Sequence, residues 1–206
     1  MLTTRTLLIS LLTLLAPFQT SELKRPDGWK IRLDRPGFVT GEPYFVAMAP
    51  GWQISTESSV IAYDPAKTAR GNYRLESEIL LFPGSQANGF GLFIGGTALD
   101  SNDLSYSALQ LRKDGKFSIW SRKGPNTKEL VSWTTHPAIL PLKGETEPVK
   151  NLVAIEVRPT EIAFQVNGRT VYLSSRNAVP TDGSFGFHVG ETHNIHANTL
   201  SLQTLQ

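Results

Sequence analysis

Apolar and polar residues alternate with a period of two along most of this chain, the signature of half-buried β-strands. Between Asn151 and Ser175 the sequence reads NLVAIEVRPTEIAFQVNGRTVYLSS. A two-residue turn at Pro159-Thr160 would pair Val157 with Ile162, Ile155 with Phe164 and Val153 with Val166. A type I′ turn at Asn167-Gly168 would pair Phe164 with Val171 and Ile162 with Leu173. Every pair is apolar, and a slip of one residue would set each against a polar neighbour. Ala154, Glu156, Ala163, Gln165 and Tyr172 then occupy the opposite face. The expectation is a three-stranded antiparallel meander.

The same rules extend along the chain. Short strands are expected at Trp29–Leu33, Tyr44–Ala49, Gly51–Ile54 and Val60–Tyr63, the last ended by Asp64-Pro65. From Tyr73 to Phe82, Tyr73, Leu75, Ser77, Ile79 and Leu81 share one face; Arg74, Glu76, Glu78 and Leu80 share the other. Gly89 to Gly96 sets Phe90, Leu92 and Ile94 opposite glycines. Tyr106 to Arg122 reads as a hairpin. Only a three-residue loop, Lys113-Asp114-Gly115 with Gly115 left-handed, keeps Leu111 opposite Phe117 and Leu109 opposite Ile119. That loop puts Tyr106, Gln110, Arg112, Ser118, Trp120 and Arg122 on the second face, Trp120 across from Ala108. Glu129–Trp133 is a short strand, and an irregular link spans Thr134–Val149. Ser184–Gly190 points Phe185, Phe187 and Val189 inward, and His196–Leu202 closes the chain. There is no long helical period. A dozen or so short strands with frequent turn signals predict an all-β, two-sheet antiparallel β-sandwich.

The chain has 206 residues, 40% hydrophobic and 18% charged, with a net charge of +2, which suits one domain. Arg5 followed by the apolar run Leu7–Ala16 reads as a signal peptide over 1–20, leaving 21–206 as the folded domain and predicting a periplasmic or extracellular location. The run is short for a membrane span. There is no cysteine, so the core holds the fold without disulfides. No basic patch interleaved with aromatic residues stands out, which speaks against nucleic acid as a partner.

Gly-Trp-Gln-Ile at 51–54, Gly-Asn-Tyr-Arg-Leu-Glu-Ser-Glu at 71–78, Gly-Phe-Gly-Leu-Phe-Ile at 89–94, the Lys113–Phe117 hairpin, Phe164–Gly168 and Asp182–Phe187 together resemble the concanavalin A-like lectin/glucanase superfamily, with 3-keto-disaccharide hydrolase-type and laminin-G-like domains nearest. The resemblance covers about Trp29 to the C-terminus. It implies a jelly roll whose concave sheet often holds a saccharide, and calcium in some members. Against the hydrolase relatives, no Asn-Ser-Gly precedes a strand ending in Arg.

Several groups could carry chemistry. Glu76 and Glu78 stand two apart on one strand face, about 6–7 Å from each other. This is within the spacing of paired glycosidase carboxyls, but Leu80 and Leu81 stand where related glucanases carry a third acid. Arg74 is their ready ion-pair partner. His188, His193 and His196 follow no standard zinc spacing. His188 alone could donate to a ligand. Asp100, Asn102 and Asp103 form an acidic loop without the glycine and terminal glutamate of an EF-hand, so no metal or other cofactor is expected, calcium being the candidate considered. Tyr106, Gln110, Trp120 and Arg122 form the most suggestive group: an indole stacks on the C–H face of a sugar, and amide and guanidinium groups bind its hydroxyls. The leading expectation is a lectin-like domain binding a saccharide or glycan without catalysis. The alternatives are a glycoside hydrolase and a laminin-G-like adhesion module.

Overall fold

A computed structural model describes residues 24–34 and 41–206; the expected signal peptide lies outside them. The strands run β1 (Lys30–Leu33), β2 (Tyr44–Ala47), β3 (Trp52–Thr56), β4 (Val60–Ala69), β5 (Tyr73–Leu81), β6 (Phe90–Thr97), β7 (Ser105–Leu111) and β8 (Lys116–Lys123). They continue as β9 (Asn126–Thr135), β10 (Val149–Val157), β11 (Glu161–Val166), β12 (Arg169–Ser175), β13 (Gly183–Val189), β14 (His193–Ala197) and β15 (Ser201–Thr204). One sheet has the order β1-β4-β13-β6-β7-β8-β9; the other has β12-β11-β10-β5-β14-β3-β2, with β15 also paired to β5. Among the described residues the only helix is a single 3-10 turn, Arg176–Ala178. The fold is the β-sandwich that the alternation predicts.

Burial on β5 alternates residue by residue along its whole length. Leu75, Ile79 and Leu81 meet Val153, Ile155, Phe164, Phe90, Leu92, Leu109 and Phe187 in one core between the sheets. Fully burying such a side chain stabilises by roughly 1.5–3 kcal/mol. Two polar groups enter this layer with partners: Ser77 Oγ donates to Thr199 O at 2.6 Å, and the Tyr73 hydroxyl donates to Thr181 O at 2.6 Å. The seven-stranded sheet is apolar on its outer face too. There Ile61, Tyr63, Phe93, Leu104, Tyr106 and Ala108 form a second buried cluster, with Trp120 packed against it.

The β10–β11 register is the expected one, Val157 opposite Ile162 and Ile155 opposite Phe164. The β7–β8 hairpin also matches, with Leu109 opposite Ile119 and Ala108 opposite Trp120, and Gly115 at φ 80°. Three expectations are corrected. The turn at Asn167-Gly168 has the positive φ values of type I′ (51° and 75°), but a bulge on β12 leaves Val171 unmatched. Phe164 therefore faces Tyr172, and Ala163 faces Leu173. The bulge sends Tyr172 to the core side, 6.5 Å from the Phe164 ring, and leaves Leu173 exposed; β12 is an edge strand, where bulges add twist and disrupt pairing.

Asp64-Pro65 does not end β4, which continues to Ala69. Beyond Tyr63, β1 no longer pairs with it, and on the other side the β13 register shifts between Ser184 and Gly186. An unpaired edge beside a bulge tolerates a residue without an N–H. The closing strand is two strands, β14 and β15, both lying along β5. The break is held by the Asn198 backbone N–H, which donates to Glu78 O at 2.9 Å.

Candidate functional site

A row of residues crosses the outer face of the seven-stranded sheet. His188 on β13 and Gln110 on β7 both lie opposite Gly91 on β6, and Gln110 lies opposite Ser118 on β8. A Cβ on Gly91 would fall 2.2 Å from Leu109 O, so the close backbone approach requires glycine. With no side chain between them, Gln110 Nε2 reaches His188 Nδ1 at 2.5 Å.

The hydrogen-bond directions follow from chemistry. An indole N–H only donates, so Trp120 Nε1 gives its proton to Gln110 Oε1 at 2.8 Å. This leaves Gln110 Nε2 as donor and His188 Nδ1 as acceptor. His188 then carries a proton on Nε2, which stands 3.5 Å from Ser59 Oγ and 3.6 Å from Asp34 Oδ2.

Asp34 anchors the far end. It is buried, and its Oδ1 accepts from the Tyr106 hydroxyl and from Arg122 Nη1 at 2.7 Å. Arg122 Nη1 also donates to the Asp34 carbonyl. Burial pushes the Asp34 carboxyl up, but His188, the Tyr106 hydroxyl and the Arg122 charge outweigh it and hold the carboxyl at about 2. Burial and the Asp34 charge push the Tyr106 hydroxyl well above its usual range, so it remains a donor. A buried, fully partnered network of this kind fixes its members rigidly.

Over this network lies a pocket of about 250 Å³. Gln110, Ser118 and His188 form its polar floor, and Trp120 and Trp133 contribute indoles. Trp120 meets His188 edge to face at 5.1 Å and Tyr106 at 5.5 Å. Trp133 carries the Arg112 guanidinium over its ring at 5.1 Å. Gly89 gives Trp133 and Gln110 their room, since a Cβ there would lie 2.7 Å from atoms of both. Asn88, Glu129 and Glu191, all exposed, also line it, as does Asp34.

Of the residues singled out from sequence, Gln110, Trp120 and His188 meet in this pocket. Tyr106 and Arg122 lie one layer behind it, where they hold Asp34. Glu76 and Glu78 are on β5 of the other sheet. There Glu76 pairs with Arg74 at 2.5 Å and Glu78 with Lys150 at 2.9 Å. The Lys150 bond, aided by Asn198, holds the Glu78 carboxyl below its usual range against a small burial effect. The three histidines are separate: His193 Nδ1 lies 2.8 Å from Glu191 O, and His196 Nε2 lies 2.7 Å from Pro50 O. In the acidic loop, Asp100 is taken by Lys30 at 2.6 Å and by the Tyr63 hydroxyl at 2.7 Å. Among the described residues no group of three or more His, Cys, Asp or Glu is placed to hold a metal ion.

Sequence reasoning did not single out Asp34, Ser59, Glu129 or Trp133. Trp133 stood in an expected strand, and its aromatic character was the available signal. Asp34 carries no local signal: its partners Tyr106, Arg122 and His188 are distant in the chain and meet it only through the sheet order.

Solved structures share this architecture. The carbohydrate-binding module CBM66 from Bacillus subtilis superposes with a TM-score of 0.63 at 13% identity, over 86% of this chain and 96% of that one. A GH16 protein of the Bacteroides ovatus mixed-linkage glucan locus, in complex with G4G4G3G product, gives 0.59 at 8% identity, over 87% and 96%. What these likenesses share with the chain is the fold, a two-sheet β-sandwich jelly roll. The exoplasmic/lumenal domain of VIP36, in its Ca2+/Man3GlcNAc-bound form, gives 0.58 at 9% identity, over 87% and 84%. No protein-family model matches the chain, and comparison with curated protein sequences gives no match.

Proposed function

We propose that this protein binds a saccharide in the pocket on the outer face of the seven-stranded sheet, without catalysis, after export to the periplasm or the cell exterior. The observation that carries this reading is two indoles beside a polar floor whose amide and imidazole are locked in place from behind. Indole faces suit the C–H patches of a sugar ring, and fixed amide, hydroxyl and imidazole groups suit its hydroxyls. Pre-organised side chains lose little entropy on binding, which raises affinity without a large interface. The fold supports the reading, since a carbohydrate-binding module and a domain in a Man3GlcNAc-bound form share it. Glu76 and Glu78, on the opposite sheet and tied to Arg74 and Lys150, do not supply a hydrolytic carboxylate pair to this pocket. The binding reading requires no metal.

The test is a glycan array, followed by calorimetry on the hits. Trp120→Ala removes both the indole surface and the donor that orients Gln110, so affinity should fall about tenfold or more, the usual effect of truncating a central tryptophan. A wild-type protein that binds no glycan, or a Trp120→Ala protein that binds as well as wild type, refutes the reading.

A further inference from the structure

Among the described residues, the charged side chains that line the pocket are Asp34, Glu129 and Glu191, with no lysine or arginine. Asp34 is neutralised at 2.7 Å by Arg122. Glu129 accepts a hydrogen bond from Ser132 Oγ at 2.7 Å, but among the described residues neither Glu129 nor Glu191 forms an ion pair. Arg112, the nearest guanidinium to Trp133, is committed to Asp114 through Nε at 2.8 Å. Among the described residues, the pocket therefore presents uncompensated negative charge at its edges. A second feature points to a ligand: the Ser118 hydroxyl, on a residue 2% exposed, has no hydrogen-bond partner among the described residues. It lines the pocket opposite Gln110. A buried hydroxyl without a partner is unfavourable unless a bound group completes it.

Resting on the saccharide-binding reading above, we propose that the sugar this pocket takes carries a free amine, its ammonium facing Glu129 or Glu191 and one of its hydroxyls meeting Ser118. An ammonium gains attraction where a uronic acid meets repulsion from the same carboxylates, and with low-dielectric indoles beside them the field is less screened than on an open surface.

The experiment compares ligands that differ in charge, two of them sharing one backbone. Fully deacetylated glucosamine oligomers, their fully N-acetylated counterparts and oligogalacturonate are titrated by calorimetry at about pH 6, where an amine of this type is protonated. Neutral gluco-, galacto-, manno- and fructo-oligosaccharides complete the panel. The deacetylated oligomer should bind on the order of tenfold more tightly than the N-acetylated one, and oligogalacturonate should not bind. The preference should vanish in the Glu129→Gln/Glu191→Gln double variant and shrink at about 1 M salt, where the screening length is near 3 Å. Ser118→Ala should weaken the deacetylated oligomer without altering the charge preference. Both glutamates are exposed, and an unchanged melting temperature confirms that the double variant folds. If neutral sugars bind as well as the amino sugar, or oligogalacturonate binds better, this inference falls and saccharide binding stands. If nothing in the panel binds, both fall.

Discussion

Replacing Asp34 by asparagine keeps the shape of the side chain and removes the charge at the centre of the buried network. Asp34 is 4% exposed, and the Arg122 side chain it holds is 10% exposed, so the variant leaves a guanidinium in a poorly hydrated place. Losing one partner of a buried ion pair costs about 3–5 kcal/mol. Asparagine retains one acceptor, which puts the expected loss near the lower end, about 3 kcal/mol at neutral pH. The pH dependence gives a separate estimate. A carboxyl lowered from 3.8 to about 2 contributes roughly 2 kcal/mol, at about 1.4 kcal/mol per unit. Because the folded value lies below the unfolded one, that stability is fully present above about pH 4 and is lost as pH falls through about 2. The carboxyls of Glu78, Asp100, Asp114 and Glu156 are also lowered, so acid weakens the whole protein and the informative quantity is the gap between wild type and variant. Urea unfolding followed by tryptophan fluorescence should show that gap shrinking by roughly 2 kcal/mol between about pH 5 and pH 2. A gap below about 0.5 kcal/mol at neutral pH, or one that stays constant into acid, refutes the assigned role of Asp34.

Gly91→Ala drives a methyl group against the Leu109 carbonyl, 2.2 Å away, and two paired strands cannot part to admit it. Chemical denaturation should show a loss of about 3 kcal/mol, with weakened saccharide binding as His188 and Gln110 are pushed apart; a near-neutral result contradicts the close approach. Leu173→Ser tests the β12 bulge. Leu173 is 57% exposed, so stability should change by about 0.5 kcal/mol or less, whereas a loss of about 2 kcal/mol or more would mean that Leu173 packs in the core. Asn167→Ala removes a side chain that accepts from Leu152 N at 2.8 Å and donates to Ala138 O at 2.8 Å, at a residue with φ 51°. It should lower the unfolding free energy by about 2 kcal/mol, and an unchanged denaturation midpoint would contradict this.

What could be read in advance depended on whether a strand's two faces differ. On β10 and β11 every large apolar residue but Leu152 falls on one parity, so a single register satisfies them. On β12, Val171 and Tyr172 are adjacent and both apolar, so parity cannot choose between a straight strand and one bulged at Val171; the edge position decides. Proline at 65 looked terminal because the sequence does not show that β4 has lost a neighbour there. The segment from His196 to Leu202 alternated well enough to read as one strand. The break at Asn198 comes from contacts with Glu78, which lies 120 positions away. In the site, the three-residue turn at Lys113–Gly115 fixed the shared face of Gln110, Ser118 and Trp120. It could not show that Tyr106, on the same face, is fully buried in a cluster with Ile61, Tyr63, Phe93, Leu99 and Leu104. Nor could it show that Arg122 turns to a buried Asp34, because both facts depend on which strands and loops lie beside β7 and β8.

The chain has four tryptophans, and they divide cleanly. Trp120 and Trp133 line the pocket, while Trp29 and Trp52 pack on Phe187, each at 5.9 Å, against the core between the sheets. The indole N–H resonances of nitrogen-15-labelled protein, recorded while the saccharide panel is titrated in, therefore locate binding directly. The expected result is that Trp120 and Trp133 move with a saturating dependence on ligand while Trp29 and Trp52 stay in place. Movement of Trp29 and Trp52 alone, or of no indole with any saccharide, would contradict a sugar site on the outer face of the seven-stranded sheet.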